Sequence, residues 1–208
     1  MLYNASKHRR RSIRLKGYDY SQAGAYFVTI RTKNGECVLG DIIGGKMKLS
    51  ALGKVADRFW LQIPEHFLYV ELDEFKVMPN HIHGIILIWN VDNPKPSGRG
   101  VQLNTPTDYF SKISPKKKSL SVIIRTYKAD VTTGCRKNGF KNFRWQSNYY
   151  DHIIRNARSL DRIRSYISTN PQRWELDREN PDRTAMDPFD LWFDSHHPSR
   201  TKQRSRFG

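Results

Sequence analysis

Cysteine is nearly missing from this sequence: Cys37 and Cys135 are the only two in 208 residues. Lying far apart, they make neither a metal-type pair nor a disulfide framework, and a reduced cytoplasmic setting follows. Long apolar runs are missing as well. The longest, Ile85 to Trp89, is far too short to cross a membrane. The basic N-terminal stretch (Lys7, Arg9, Arg10, Arg11, Arg14, Lys16) leads into no apolar segment of signal-peptide length. No membrane partner is therefore expected. Acidic residues are few beside the basic ones, 20 Asp and Glu against 36 Lys and Arg, which leaves a net charge of +16. Such an excess suits a polyanion, with nucleic acid as the default partner and acidic lipid as the bland alternative. It does not suit a small-molecule substrate.

What is present is globular. Hydrophobic residues make up 38% and aromatics 12%, enough for one domain with a core and tails. Residues 1–20 read as a mobile basic arm, 21–178 as the domain and 179–208 as a basic tail. Ala25 to Thr32 is rich in aromatic and β-branched residues and predicts a strand. Leu39 to Ile43 and Lys46 to Leu49 flank Gly44-Gly45 and predict a hairpin. Ser50 can cap a helix from Ala51 to about Gln62, with Leu52, Val55, Phe59 and Ile63 at helical spacing. Leu68 to Val77 and His81 to Trp89 predict strands joined by the Met78-Pro79-Asn80 turn. Residues 91–118, broken by prolines and glycines, predict a long loop. A basic helix follows to about Arg136, with Val122, Ile123, Tyr127 and Val131 inward. Tyr149 to Ile154 predicts a strand. Ser159 can cap a last helix carrying Leu160, Ile163 and Ile167 inward, which Pro171 should end. The order suits an α+β fold, an antiparallel sheet with helices packed on one face in a ferredoxin-like or RNA-recognition-like layout.

Two constellations carry chemistry. On a strand, residues two apart share a face, so His81 and His83 project together and can bind one metal ion. Ile85 and Leu87 continue that face while Ile82, Ile86 and Ile88 line the other. A strand apolar on both sides should be central and covered on both sides. The second constellation is Tyr166 with Asn170, four apart on a predicted helix and so on one edge of it. Either alone has an ordinary explanation: paired histidines in a hydrogen-bonded core, or a packed tyrosine near a helix end. Together they fit phosphodiester chemistry. A phenol is a poor nucleophile without assistance, and a cation held by two imidazoles and an amide oxygen relieves the repulsion of the phosphate charge.

The segment Met78-Pro79-Asn80-His81-Ile82-His83-Gly84 resembles the HUH motif (His, hydrophobic, His) of single-tyrosine transposases. Trp145 to Asn156 (WQSNYYDHIIRN) resembles the block before the tyrosine helix in the REP-associated tyrosine transposases. Tyr166-Ile167-Ser168-Thr169-Asn170-Pro171 resembles that family's tyrosine with its Asn and Pro, and Tyr26-Phe27-Val28-Thr29 fits its first strand. The resemblance covers roughly residues 15–178 in order. It implies an HUH nuclease fold and a bacterial-type, nucleoid-associated enzyme that cuts and rejoins single-stranded or hairpin DNA. The reaction would run through a 5′-phosphotyrosine link with Mg2+ or Mn2+. By position, Tyr166 is the nucleophile, His81 and His83 are metal ligands, and Asn170 is the third ligand. His152 is either a supporting group of the site or an exposed strand residue. The DNA contacts would come from Arg9, Arg10, Arg11, Lys116, Lys117, Lys118, Arg125 and Lys128, in a monomer or homodimer. Two other classes stay open. A non-catalytic single-stranded nucleic-acid binder would stack bases on Tyr26, Phe27, Tyr149 and Tyr150. A metal-dependent hydrolase would use water in place of Tyr166.

Overall fold

The structure, a computed structural model, describes residues 15, 17–89 and 118–196. The expected loop 91–118, apart from Lys118, lies outside these residues, as do nearly all of the arm before Gly17 and the last twelve residues.

Six strands form. They are β1 (Gly24–Arg31), β2 (Gly40–Ile43), β3 (Lys46–Leu49), β4 (Val70–Val77), β5 (His81–Ile88) and β6 (Tyr150–Ile154). Five α-helices accompany them: α1 (Ala51–Leu61), α2 (Ile63–His66), α3 (Leu120–Lys137), α4 (Ala157–Thr169) and α5 (Pro188–His196). The four long strands make one antiparallel sheet in the order β4-β5-β1-β6. Numbering only these four, that is 2-3-1-4, the ferredoxin-like order expected from the sequence. The β2–β3 hairpin stands apart. Its turn needs two residues with positive φ, and Gly44 and Gly45 supply them at 56° and 70°.

Helices cover both faces, not the single face expected. Tyr26, Val28, Ile30, Ile82, Ile86 and Ile88 pack under α1 and α3, around Trp60, Ile123, Ile124 and Tyr127. Ala25, Phe27, Ile85, Leu87 and Ile154 pack on the opposite face, under Leu160, Ile163 and Ile167 of α4 and Phe189 and Phe193 of α5. Every residue of β5 is therefore buried, as its apolar run requires.

Local signals set most boundaries. Ser50 Oγ accepts from Gly53 N at 3.0 Å and caps α1. The cap of α4 is Asn156, whose Oδ1 accepts from Ser159 N at 2.8 Å. Ser159 itself sits inside the first turn, so the expected cap is displaced by three residues. Beyond Thr169 the chain tightens into a 3-10 segment, Asn170–Leu176, with Pro171 in its first turn. The stretch from 179 to 196 corrects the expected tail. It packs onto the sheet through α5, and its charges pair internally: Arg178 with Asp190 and Asp194, Arg183 with Asp190, and Arg173 with Asp187. Likewise Tyr18 and Tyr20 are not part of a free arm, since both rings pack against Tyr26.

Candidate metal and tyrosine site

The site forms where β5 begins. Period-two alternation puts His81 and His83 on the α4 face, opposite Arg31 and Thr29 of β1. Their ring centroids are 4.3 Å apart. Each ring is held by its Nδ1. His81 Nδ1 lies 2.8 Å from Asn80 Oδ1, and His83 Nδ1 lies 2.9 Å from Thr29 Oγ1. Both Nε2 atoms therefore face the same side.

Helix α4 brings Tyr166 to that side. Its hydroxyl lies 3.2 Å from His83 Nε2 and donates to Asp177 Oδ2 at 3.0 Å. Asn170, at the turn into the 3-10 segment, donates from Nδ2 to the same Oδ2 at 2.6 Å. That one carboxylate oxygen is also 3.9 Å from His81 Nε2 and 3.7 Å from His83 Nε2. All four residues read from the sequence thus converge on Asp177, which sequence reasoning missed. His81, His83 and Asp177 place their ligand atoms within 4.8 Å of one another, all buried. Asn170, the third ligand implied by the resemblance, gives its amide nitrogen to the carboxylate and keeps its Oδ1 free of it.

The electrostatics are those of a buried, closed site. Burial, with His83 beside it, pushes His81 down to about 3, so the ring is neutral and able to act as a ligand. Burial opposes ionisation of Asp177, but the hydrogen bonds that converge on its carboxylate, from the Tyr166 hydroxyl, the Asn170 amide and the Glu179 N–H, outweigh it and hold the carboxyl well below the usual range. Burial, reinforced by Asp177 and Asp190, pushes the Tyr166 phenol far above its ordinary value. The residues fit a divalent cation on direct grounds. His81 Nε2 and Asn170 Oδ1 are buried without a hydrogen-bond partner, and two imidazoles with one carboxylate are an ordinary donor set for such an ion.

Tyr166 is only 5% exposed. Phe189 of α5 stacks on its ring at 3.8 Å between centroids and 8° between planes. His152 lies opposite Phe27 on the β6 side and meets Phe193 edge-on at 5.0 Å. It is thus separated from His83 by the Phe27 ring, which lies 5.4 Å from His83. Among the other tyrosines, Tyr127 and Tyr149 belong to the core of the other face, and Tyr150 sits opposite Thr29.

Of the expected DNA contacts, Arg9, Arg10, Arg11, Lys116 and Lys117 lie outside the described residues. Lys118 and Arg125 are exposed at and on α3. Lys128 is different: its Nζ donates to Gln146 O at 2.6 Å and Asn148 O at 2.9 Å. It fixes the approach to β6, and burial brings its pKa down to about 8.

No protein-family profile matches the chain. An uncharacterized protein of Haemophilus influenzae is 44% identical over 179 residues, which span 85% of this chain and 96% of that one. Among solved structures, the chain is similar to a REP-associated tyrosine transposase bound to a REP hairpin, with a TM-score of 0.48 and 20% identity over 80% of this chain and 73% of that one. It is also similar to a candidate transposase from Deinococcus radiodurans R1, with a TM-score of 0.35 and 15% identity over 74% of this chain and 96% of that one.

Proposed function

We propose that this chain, which belongs to one family with the Haemophilus influenzae protein, is a metal-dependent tyrosine transesterase that cuts and rejoins single-stranded or hairpin DNA, a transposase of the REP-associated tyrosine kind. One observation carries the reading. The Tyr166 hydroxyl lies within hydrogen-bond distance of both His83 Nε2 and Asp177 Oδ2, at the point where His81 also converges. The motif order points to the same chemistry.

His81, His83 and Asp177 would hold Mg2+ or Mn2+, with Asn170 orienting the carboxylate. Such a cation, when bound, supplies charge to a non-bridging phosphate oxygen and steadies the scissile group. Tyr166 does the bond-making. Its oxygen attacks phosphorus, the bond to the 3′ oxygen breaks, and the products are a 5′-phosphotyrosine and a free 3′-hydroxyl. The phenolic proton passes through the existing hydrogen bond to Asp177 Oδ2 and on to the departing 3′ oxygen, which becomes the hydroxyl. In the closed arrangement the phenol stays protonated and covered by Phe189, so DNA reaches it only after the segment bearing α5 moves aside. The exposed cations Lys118 and Arg125, with the high overall charge, hold the phosphate backbone.

A second reading, a binder without chemistry, is favoured by the burial of Tyr166. The two separate cleanly. Incubation of the protein with labelled hairpin DNA and Mn2+ or Mg2+, followed by a denaturing gel, should give a shifted covalent band that Tyr166→Phe abolishes while DNA binding persists. A band that survives Tyr166→Phe, or maps to Tyr149 or Tyr150, would move the nucleophile. Binding with no band under any condition would select the binder.

A further inference from the structure

One buried amide beside the histidine pair has no part in the chemistry above. Asn80 precedes β5 and is completely buried. Its Nδ2 donates to Gly35 O at 3.0 Å and to Glu179 O at 2.7 Å. Carbonyl oxygens only accept, so these two bonds use both amide hydrogens and fix which end of the amide is which. The remaining atom, Oδ1, lies 2.8 Å from His81 Nδ1. An amide oxygen also only accepts, so the hydrogen in that bond belongs to Nδ1. The opposite nitrogen, Nε2, is then the atom carrying the lone pair, and it is the one left buried without a partner.

The same amide reaches the other side of the site. Glu179, whose carbonyl it holds, donates its own N–H to Asp177 Oδ1 at 2.7 Å. Glu179 also pairs with Arg31, the β1 residue opposite His81, at 3.1 Å. Thr29 serves His83 less decisively, because a hydroxyl can either give or take a hydrogen.

We infer that Asn80 is a positioning residue of the metal site: it locks His81 in the tautomer that turns an Nε2 lone pair inward, and it anchors the segment that delivers Asp177. The metal role of His81 rests on the function proposed above; the tautomer does not. No other side chain of similar size does both jobs. Aspartate keeps an acceptor for Nδ1 but sets a carboxylate against two carbonyls, and alanine keeps neither function.

The test uses the full chain without metal, with histidine ring nitrogens labelled and read by long-range proton–nitrogen correlation. Wild-type His81 should show a protonated Nδ1 and a bare Nε2. Asn80→Ala should lose that fixed pattern, whereas Asn80→Asp should keep it. Calorimetric titration with Mn2+ should then show affinity reduced about 10- to 100-fold in Asn80→Ala, with part of the loss recovered in Asn80→Asp. A wild-type His81 protonated on Nε2 overturns the inference without any variant having to fold. So does an Asn80→Ala protein with wild-type tautomer and wild-type Mn2+ affinity. The expected tautomer in a protein that binds no Mn2+ supports the lock and overturns the metal reading instead.

Discussion

The two faces of the sheet are made by alternate residues of the same strands, yet they do different work. Under α1 and α3 the face is lined by apolar and aromatic side chains, and the buried hydroxyls of Tyr26 and Tyr127 donate to Gln22 O at 2.8 Å and Ala56 O at 3.0 Å. Under α4 and α5 the face is apolar only at one end, around Phe27, Ile85 and Leu87. At the other end it turns polar, with Thr29, His81, His83, Tyr166, Asn170 and Asp177 all buried. Buried polar groups are costly unless paired, and here two acceptors lack partners. The difference teaches that the first face holds the fold, while the second gives up stability locally to gather the polar groups that the proposed function uses. Changes on each should therefore separate stability from function.

The largest effect is expected at Asp177. Asp177→Asn keeps the shape and removes the charge that faces both imidazoles. Mn2+ affinity should fall by about two orders of magnitude or more, with cleavage falling alongside, because a ligand and not a supporting group is altered. Asn170→Ala should cost less affinity than Asp177→Asn; the reverse ranking, read by the same calorimetry, would return the ligand role to Asn170.

Next comes the structural face. Gly84 lies in the histidine motif but serves the opposite side: a β-carbon there would collide with the Trp60 ring. Gly84→Ala should therefore destabilise by about 1–3 kcal/mol through overpacking. For a chain of this size that is a drop in Tm of roughly 2–4 °C per kcal/mol. Metal affinity measured well below the transition should stay within about twofold. A large loss of affinity at unchanged Tm would mean that the two faces are not separable.

These contrasts also show how far the sequence could be read. The strands, the shared face of His81 and His83, and the Tyr166–Asn170 edge all follow from period, because regular backbone fixes where regular spacing points. Asp177 has no such signal. It reaches the site only because the chain tightens into a 3-10 segment at Pro171 and turns back, and no spacing encodes that path. The C-terminal stretch misleads for a different reason. Its mixture of Arg and Asp looks like a solvated surface, but Arg178 pairs with Asp190 and Asp194 inside the fold, while Phe189 and Phe193 supply the apolar contact. Asn156 outcompetes Ser159 as a cap because one asparagine at the true boundary suffices.

A smaller effect is expected from the ring that covers the tyrosine. Phe189→Leu keeps an apolar side chain and removes the stack on Tyr166. Such pairs contribute about 0.5–1.5 kcal/mol beyond their buried area. If α5 must move for DNA to enter, covalent adduct should form several-fold faster in the variant while Tm falls by a few degrees. An unchanged rate, measured at saturating DNA, would mean that Phe189 leaves Tyr166 covered by something else or that opening is not limiting.

The smallest effect belongs to Lys128, the half-buried cation beside the apolar face. Its ammonium is bound by two backbone carbonyls, and burial lowers its pKa from the ordinary 10.5 to about 8. Below pH 8 the group is charged in both folded and unfolded chains, and the burial penalty is fully present. Between pH 8 and 10.5 the unfolded chain keeps the proton that the folded chain has released, so stability should rise with pH across this window. The buried tyrosines, whose phenols are raised, act in the opposite sense above pH 10, which narrows the useful range to pH 8–10. The side chain is only partly enclosed, so the rise should be on the order of 1 kcal/mol. Lys128→Met should flatten it in urea titrations at successive pH values. The same variant should leave the salt dependence of DNA binding unchanged, because an ammonium tied to Gln146 and Asn148 neutralises no phosphate, whereas Arg125→Met should lower that slope by about one. A lower slope for Lys128→Met as well would show that the amine leaves its carbonyls for DNA.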